Sequence, residues 1–262
     1  MKTAIVTSFD SKYLDYSRVT VKTLGLNYHG QDALDIICLV PDDLLHMNEA
    51  YSQSISQPNL NIQFRTSSRF SELLSDGSVG EDGYWTTNTY QKIFVGSTLE
   101  DYDCAIYIDP DTIILRDIEP LLSYSSSSPF MAVIETVDSS KKAFGKEDIP
   151  HFNAGVFKAD LSFWRSHRVE DQVIDWIRRS PAPAFADQDS LNAVLLRHLA
   201  PLPFSFNFFE YIVDNNRLMA REYDNPLIVH FVGADKPWKE KSVSKYGVMW
   251  RQAFSELATL VQ

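Results

Sequence analysis

Cysteine is scarce in this chain: of 262 residues only Cys38 and Cys104 carry a thiol. They form no CxxC pair, which removes zinc ribbons and dithiol redox centres from consideration. Each falls in or beside an apolar run, DIICLV or CAIYI, and reads as a small buried residue in reducing surroundings. Long hydrophobic runs are missing as well; no stretch approaches the ~20 apolar residues of a membrane span. The opening MKTAIVTSFD reaches Ser8 and Asp10 after a short apolar run, unlike a secretory signal, so the expected address is cytoplasmic. Positive charge is in deficit, with 24 Lys and Arg against 35 Asp and Glu and a formal net charge of −11. That balance argues against nonspecific nucleic-acid binding, because a polyanion needs a basic surface, and no nucleic-acid partner is expected. An anionic small ligand would have to be neutralised locally, by a metal or a few placed lysines. No internal repeat is present, and the SSSS run is too short to link domains, so residues 1–262 are expected to form one domain. A hydrophobic content of 44% and a charged content of 23% fit an ordinary globular protein.

What is present is an alternation of short β-branched runs with amphipathic ones. TAIVTS, DIICLV and NIQF read as buried strands; YLDYSRVTVKTLGL and DDLLHMNEAYSQ between them read as helices. This order implies an α/β fold with a mostly parallel central sheet flanked by helices, and places ligands at the carboxyl ends of the strands. Ser71 to Gly83 reads as a polar loop, TTNTYQKIFVGSTL as a helix entering the AIYID strand, and MAVIET, FNAGVFKAD and LIVHFVG as further strands.

Asp-x-Asp occurs three times, and context separates the cases. Asp101 and Asp103 lie in a polar turn. Asp187 and Asp189 precede SLNAVLLRHL, where acids at a helix N-terminus are favourable without further function. Asp109 and Asp111 end a buried strand, and Pro110 between them cannot continue a central ladder. A capped turn explains one aspartate and leaves the other uncompensated, whereas a hard divalent cation accounts for both. A second reading takes Asp109 as the nucleophile of a metal-dependent phosphohydrolase of the haloacid dehalogenase type. The motif misses by one position, with Thr112 directly after Asp111 and Ile113 where Thr or Val belongs. The downstream pair Asp171 and Asp175 falls on one helix face.

HFVGADKPW places His230 at another strand end, where it would complete an O,O,N set that suits Mn²⁺ better than Mg²⁺. Gly233 permits close backbone approach and Lys236 offers a point charge. FNAGVF carries Asn153, Ala154 and Gly155 inside an apolar run, which predicts a bulge whose opened backbone grips a polar ligand such as a sugar.

In their order, IDPD, FNAGV, DQD and HFVGADKPW make the chain resemble glycosyltransferase family 8 from about Ile5 to Trp238. The resemblance implies a GT-A fold, a UDP-sugar donor, Mn²⁺ as cofactor with Mg²⁺ as the alternative, and a hexosyl group transferred to an acceptor hydroxyl with retention of configuration. It implies Asp109, Asp111 and His230 as metal ligands and Gly233 and Lys236 as diphosphate contacts. Thr7, Asp10 and Tyr13 join the substrate-binding set, Asp10 accepting from the uracil N–H and Tyr13 stacking on the ring. Lys92 in TYQKIF reaches the donor, while Asn153, Ala154, Gly155, Asp187, Gln188 and Asp189 meet its sugar. Gln188, Asp189 and Lys236 are the catalytic candidates, with same-face attack expected because Gln188 is a weak nucleophile and the matched role of Asp189 is hydrogen bonding. The acceptor, a glycan, a lipid-linked sugar or a small molecule, is expected near Ser139 to Pro150. The basic, aromatic segment KEKSVSKYGVMWRQ allows peripheral membrane contact at most. A sugar-nucleotide binding module without turnover is the non-enzymatic rival.

Overall fold

The computed structural model describes residues 1–79, 87–135, 150–180, 185–209, 225–239 and 244–259. Strand β1 (Thr3–Ser8) leads through helix α1 (Leu14–Leu26) to β2 (Leu34–Leu39), and helix Asn48–Ile55 leads to β3 (Leu60–Arg65). These strands pair in parallel, as does β1 with β4 (Cys104–Ile108). Alternation along them sorts the core into two layers. Ala4, Val6, Ile37, Leu39, Ala105 and Tyr107 face one side; Ile5, Ile36, Cys38, Ile106 and Ile108 face the other. Both faces are covered, which is why the sequence runs are continuously apolar rather than alternating. Cys38 and Cys104 are buried free thiols, as expected.

Beyond β4 the sheet is no longer parallel. After β5 (Thr112–Ile114) and β6 (Phe130–Ile134), strand β7 (Phe152–Asp160) inserts between β4 and β6, antiparallel to both. The full order is β3-β2-β1-β4-β7-β6-β8, with β8 spanning Leu199–Pro201. This insertion decides where the site forms. An antiparallel β7 brings its amino end, Phe152 and Asn153, to the edge where β1 and β4 end. A small second ladder pairs β5 with β9 (Ile228–His230), and its register sets Thr112 opposite His230. His230 is thereby delivered beside Asp111.

The expected bulge in FNAGVF is present. Across β6 the register passes from Ala132–Phe157 to Val133–Asn153, so Ala154, Gly155 and Val156 leave that ladder. On the other side Val156 still pairs with Ile108. The stretch expected to be a loop from Ser71 begins instead inside a helix, Ser68–Ser75, whose N-cap Ser67 accepts from Phe70 N–H. Phe70 and Leu73 bury an i,i+3 stripe that the surrounding serines disguise. The tail helix Lys245–Thr259 puts Tyr246 and Trp250 into a core with Phe208, Val229 and Phe231, so its aromatics serve packing. Among the described residues no helix is long and apolar enough to cross a membrane. The segment expected to lie near the acceptor falls, except for Pro150, outside the described residues.

The turn after β4 is tied down from α1. Thr20 Oγ1 lies 2.9 Å from the Pro110 carbonyl and 3.0 Å from that of Thr112, donating into both. Thr20→Val keeps the shape and removes a side-chain donor shared by two buried residues' carbonyls, so urea melts should show a loss of about 1–3 kcal/mol.

Candidate functional site

Several strand ends and two helix starts meet at the carboxyl edge of β1 and β4. Asp109 follows β4, its N–H donating to the Gly155 carbonyl at 2.7 Å. Its carboxylate Oδ1 accepts from Tyr107 OH at 2.8 Å and from Lys92 Nζ at 3.0 Å. Asp111, two residues on, is buried and bonded by Lys236 Nζ. Burial opposes its charge, but Lys236 and His230 outweigh that and hold its carboxyl well below the usual carboxylate range. His230 Nε2 stands 3.5 Å from Asp109 and 3.3 Å from Asp111. One ligand atom from each of the three residues lies within 4.8 Å of the others. That is a convergent O,O,N donor set.

Gly155 makes this convergence possible. A Cβ there would fall 2.0 Å from His230 Cε1 and 2.8 Å from Asp109 Oδ2, closer than any real contact. Gly233 serves differently: nothing crowds it, but its φ of +86° turns the loop that returns Lys236 to Asp111. Lys236 is also held by the Phe231 carbonyl at 2.9 Å.

Beyond the triad the cleft is acidic and buried. Lys92, 2% exposed, bridges Asp109 and Asp187, 2.9 Å from Asp187 Oδ2. Burial disfavours the ammonium, yet the two aspartates keep its pKa well above the ordinary lysine value. Burial also pushes Asp187 up, against Lys92 and the 2.6 Å bond from Thr89 Oγ1. Gln188 accepts from Ala154 N–H at 3.0 Å and donates to Glu135 at 3.2 Å. Asp189 is turned inward. It is 1% exposed, accepts from Phe185 N–H at 2.9 Å and faces His151 Nε2 at 3.3 Å. His151 reaches Glu135 with its other nitrogen at 3.2 Å. Burial works against protonation, but hydrogen bonds to Asp189 and Glu135 prevail and raise its pKa above 6.5.

A second lobe of the cleft opens toward α1 and is lined by Phe9, Asp10, Tyr13 and Asn88, sharing Thr89, Asp109, Asp111 and Lys236 with the first. Asp10 Oδ1 accepts from Lys12 and Tyr13 N–H groups at 2.9 and 3.2 Å, which fixes the acid at the start of α1. The Tyr13 ring stands edge-on to Trp238 at 5.4 Å, and Trp238 stacks flat on Tyr16 at 4.1 Å. The KPW end of the last motif thus buttresses the ring beside Asp10.

A model of the family described as Glycosyl transferase family 8 matches residues 4–242. The chain belongs to this family. General stress protein A of Bacillus subtilis (strain 168) is 29% identical over 183 residues, 63% of this chain and 64% of that protein. A lipopolysaccharide 1,2-glucosyltransferase of Escherichia coli is 26% identical over 153 residues, 53% of this chain and 45% of the enzyme. The chain spans less than two thirds of either relative. Among solved structures, the galactosyltransferase LgtC in complex with donor and acceptor sugar analogs covers 97% of this chain and 95% of its own. That match has a TM-score of 0.78 at 19% identity. At such identity the likeness shows the fold, which is GT-A.

On this family scaffold the residues singled out from sequence mostly converge. Asp10 and Tyr13 occupy one lobe; Lys92, Asn153, Ala154, Gly155, Asp187, Gln188 and Gly233 line the other with the three candidate ligands and Lys236. Thr7 and Asp189 do not line either lobe. Thr7 is buried in β1, and its Oγ1 has no partner among the described residues. Sequence reasoning passed over Glu135, His151 and Asn207. Glu135 directly follows β6 and had the same strand-end signal as Asp109; Asn207 was hidden in the aromatic run FSFNFF.

Two expectations follow. Gly155→Ala should lower cation affinity at the triad roughly 10–100-fold, because the His230 ring must move, with secondary structure unchanged; Mn²⁺ titration by calorimetry and circular dichroism check this. For His151, the folded pKa lies above the unfolded one. Its stabilisation is therefore complete below the unfolded value near 6.5 and is lost as pH rises through the raised folded value. Scanning calorimetry should show the melting temperature falling as pH rises from 6.5 through the folded value in the wild type, with a shallower fall in His151→Gln.

Proposed function

We propose that this chain transfers a hexosyl group, of glucose or galactose type, from a UDP-sugar to an acceptor hydroxyl with retention of configuration. The observation that carries the reading is the convergence of Asp109, Asp111 and His230 within 4.8 Å, next to the FNAGV bulge and two lysines. The donor set fits a divalent ion, Mn²⁺ before Mg²⁺, since an imidazole joins two carboxylates and Gly155 clears room for all three. Such an ion supplies Lewis-acid stabilisation of negative charge on a diphosphate.

The chain's own residues supply the rest. Asp10, with Oδ1 held by two N–H groups, leaves Oδ2 to accept from the uracil N–H, while Tyr13 offers a ring face. Lys236, with its ammonium at Asp111 and its backbone on the Gly233 turn, is placed to meet charge developing on the leaving diphosphate. Lys92 is committed to Asp109, Asp187 and the Ala154 carbonyl, so its part is to hold the sugar end of the cleft in shape. Asp189 has one oxygen on Phe185 N–H and the other on His151, which supports same-face attack over a covalent sugar–Asp189 intermediate. In that route the C1–oxygen bond to UDP breaks with its electron pair going to the phosphate oxygen. The acceptor oxygen bonds C1 on the same face and its proton passes to the departing diphosphate. The phosphohydrolase alternative is disfavoured because Tyr107 and Lys92 both occupy Asp109 Oδ1.

The test is a panel of UDP-sugars with Mn²⁺, read as UDP release, with product anomers assigned by NMR. UDP should bind at least about tenfold more weakly after chelation. An α-linked donor should give an α-linked product and no hexosyl adduct by intact-mass spectrometry. Equal UDP affinity with and without Mn²⁺, or a β-linked product, would reject the reading.

A further inference from the structure

A histidine ligates a metal only through a nitrogen that carries no proton, so the residues behind His230 decide whether it can serve. His230 Nδ1 lies 3.0 Å from Asn207 Oδ1, while Nε2 points between Asp109 and Asp111. Asn207 is fully buried, and taken alone its amide could face either way. The next link removes that freedom. Asn207 Nδ2 is 2.8 Å from Asn153 Oδ1, and Asn153 is anchored twice. Its Oδ1 also accepts from Gly155 N–H at 2.9 Å, and its Nδ2 donates to Glu135 Oε1 at 2.7 Å. Turned over, Asn153 would set an NH₂ against a backbone N–H and a carbonyl against a carboxylate, all out of water, where each mismatch carries its full penalty. Glu135 is kept in its accepting role by Gln188 Nε2 at 3.2 Å and by His151 Nδ1 at 3.2 Å. Polarity then propagates in one direction: Glu135 accepts from Asn153, Asn153 accepts from Asn207, and Asn207 is left with its carbonyl toward the imidazole. A flipped Asn207 would place two carbonyl oxygens 2.8 Å apart.

We infer that Asn207 is a positioning residue of the cation site: held by Asn153 and Glu135, it accepts the Nδ1 proton of His230 and so leaves the Nε2 lone pair directed between Asp109 and Asp111. The inference rests on the reading of this cleft as cation-dependent, and it assigns work to three residues remote from the ion. It also changes the account of Asn153. Both of its oxygen bonds and one N–H are spent within the relay, which leaves one N–H for a sugar.

The tautomer is measurable directly. In uniformly ¹⁵N-labelled, metal-free protein, long-range ¹⁵N–¹H correlation should show His230 with Nδ1 protonated and Nε2 bare. Asn207→Leu, which keeps the branching of the side chain but removes the acceptor, should weaken Mn²⁺ binding in saturating UDP by about 10–100-fold and shift the tautomer toward Nε2–H. Asn207→Asp retains an acceptor for Nδ1–H but loses the N–H that Asn153 Oδ1 accepts, so it should bind Mn²⁺ more tightly than Asn207→Leu while falling short of the wild type. A role in packing alone would reverse that order, because Asp adds a buried charge where Leu does not. Should Asn207→Leu fail to fold, the wild-type tautomer still decides. An Nε2–H tautomer in a wild type that binds Mn²⁺ normally overturns this inference alone; a wild type that binds no Mn²⁺ overturns the functional reading and the inference with it.

Discussion

Crowded negative charge at one sheet edge is the constraint on which the rest of this structure depends. Asp109, Asp111, Glu135, Asp187 and Asp189 all flank or begin elements there, and all but Asp109 are buried. An uncompensated buried carboxylate costs several kcal/mol, so the fold cannot simply tolerate five of them. Each is answered by a particular cation or donor. Lys92 stands between Asp109 and Asp187, Lys236 is on Asp111, and His151 lies between Glu135 and Asp189. The positions of these groups explain features that look arbitrary in isolation: an antiparallel strand in an otherwise parallel half-sheet, a three-residue departure from the β6 ladder, and a glycine where any Cβ would collide.

The metal candidates were legible because their signal is local. Asp109 and Asp111 flank a proline after an apolar run, and His230 closes one, so a strand-end rule suffices for each. The bulge was legible for a similar reason, Asn and Gly being poor strand residues. The reversal of β7 was not. Nothing within FNAGVFKAD says whether its neighbours run with it or against it, because direction is settled by which connections the chain can close. Without that direction Asn153 could not be placed next to Glu135, and the internal network stayed invisible.

Asn207 and His151 show a second kind of illegibility. Each looks in sequence like a core residue in an aromatic or apolar neighbourhood, and each is indeed almost wholly buried. Their importance lies in partners 54 and 38 residues away in the chain, which no spacing rule reaches. The helix at Ser68–Ser75 failed for the opposite reason: its serines and acids outweighed a two-residue apolar stripe that only packing on the sheet makes decisive.

The deficit of positive charge now has a physical resolution. A protein with net charge −11 repels a diphosphate at long range, but that repulsion acts through screened solvent and fades within a Debye length of about 8–10 Å. Inside the cleft the balance is set by what lies within a few ångströms. There Lys236 and Lys92 are almost fully buried, which weakens the screening around them. Neither is a free cation in this state, since Lys236 bonds Asp111 and Lys92 joins two aspartates. Part of their charge is committed to carboxylates, so on their own they answer a diphosphate only in part. Holding a diphosphate at this edge therefore requires positive charge beyond these lysines, and the convergence of Asp109, Asp111 and His230 is the one grouping of three metal-binding side chains among the described residues that can bring it.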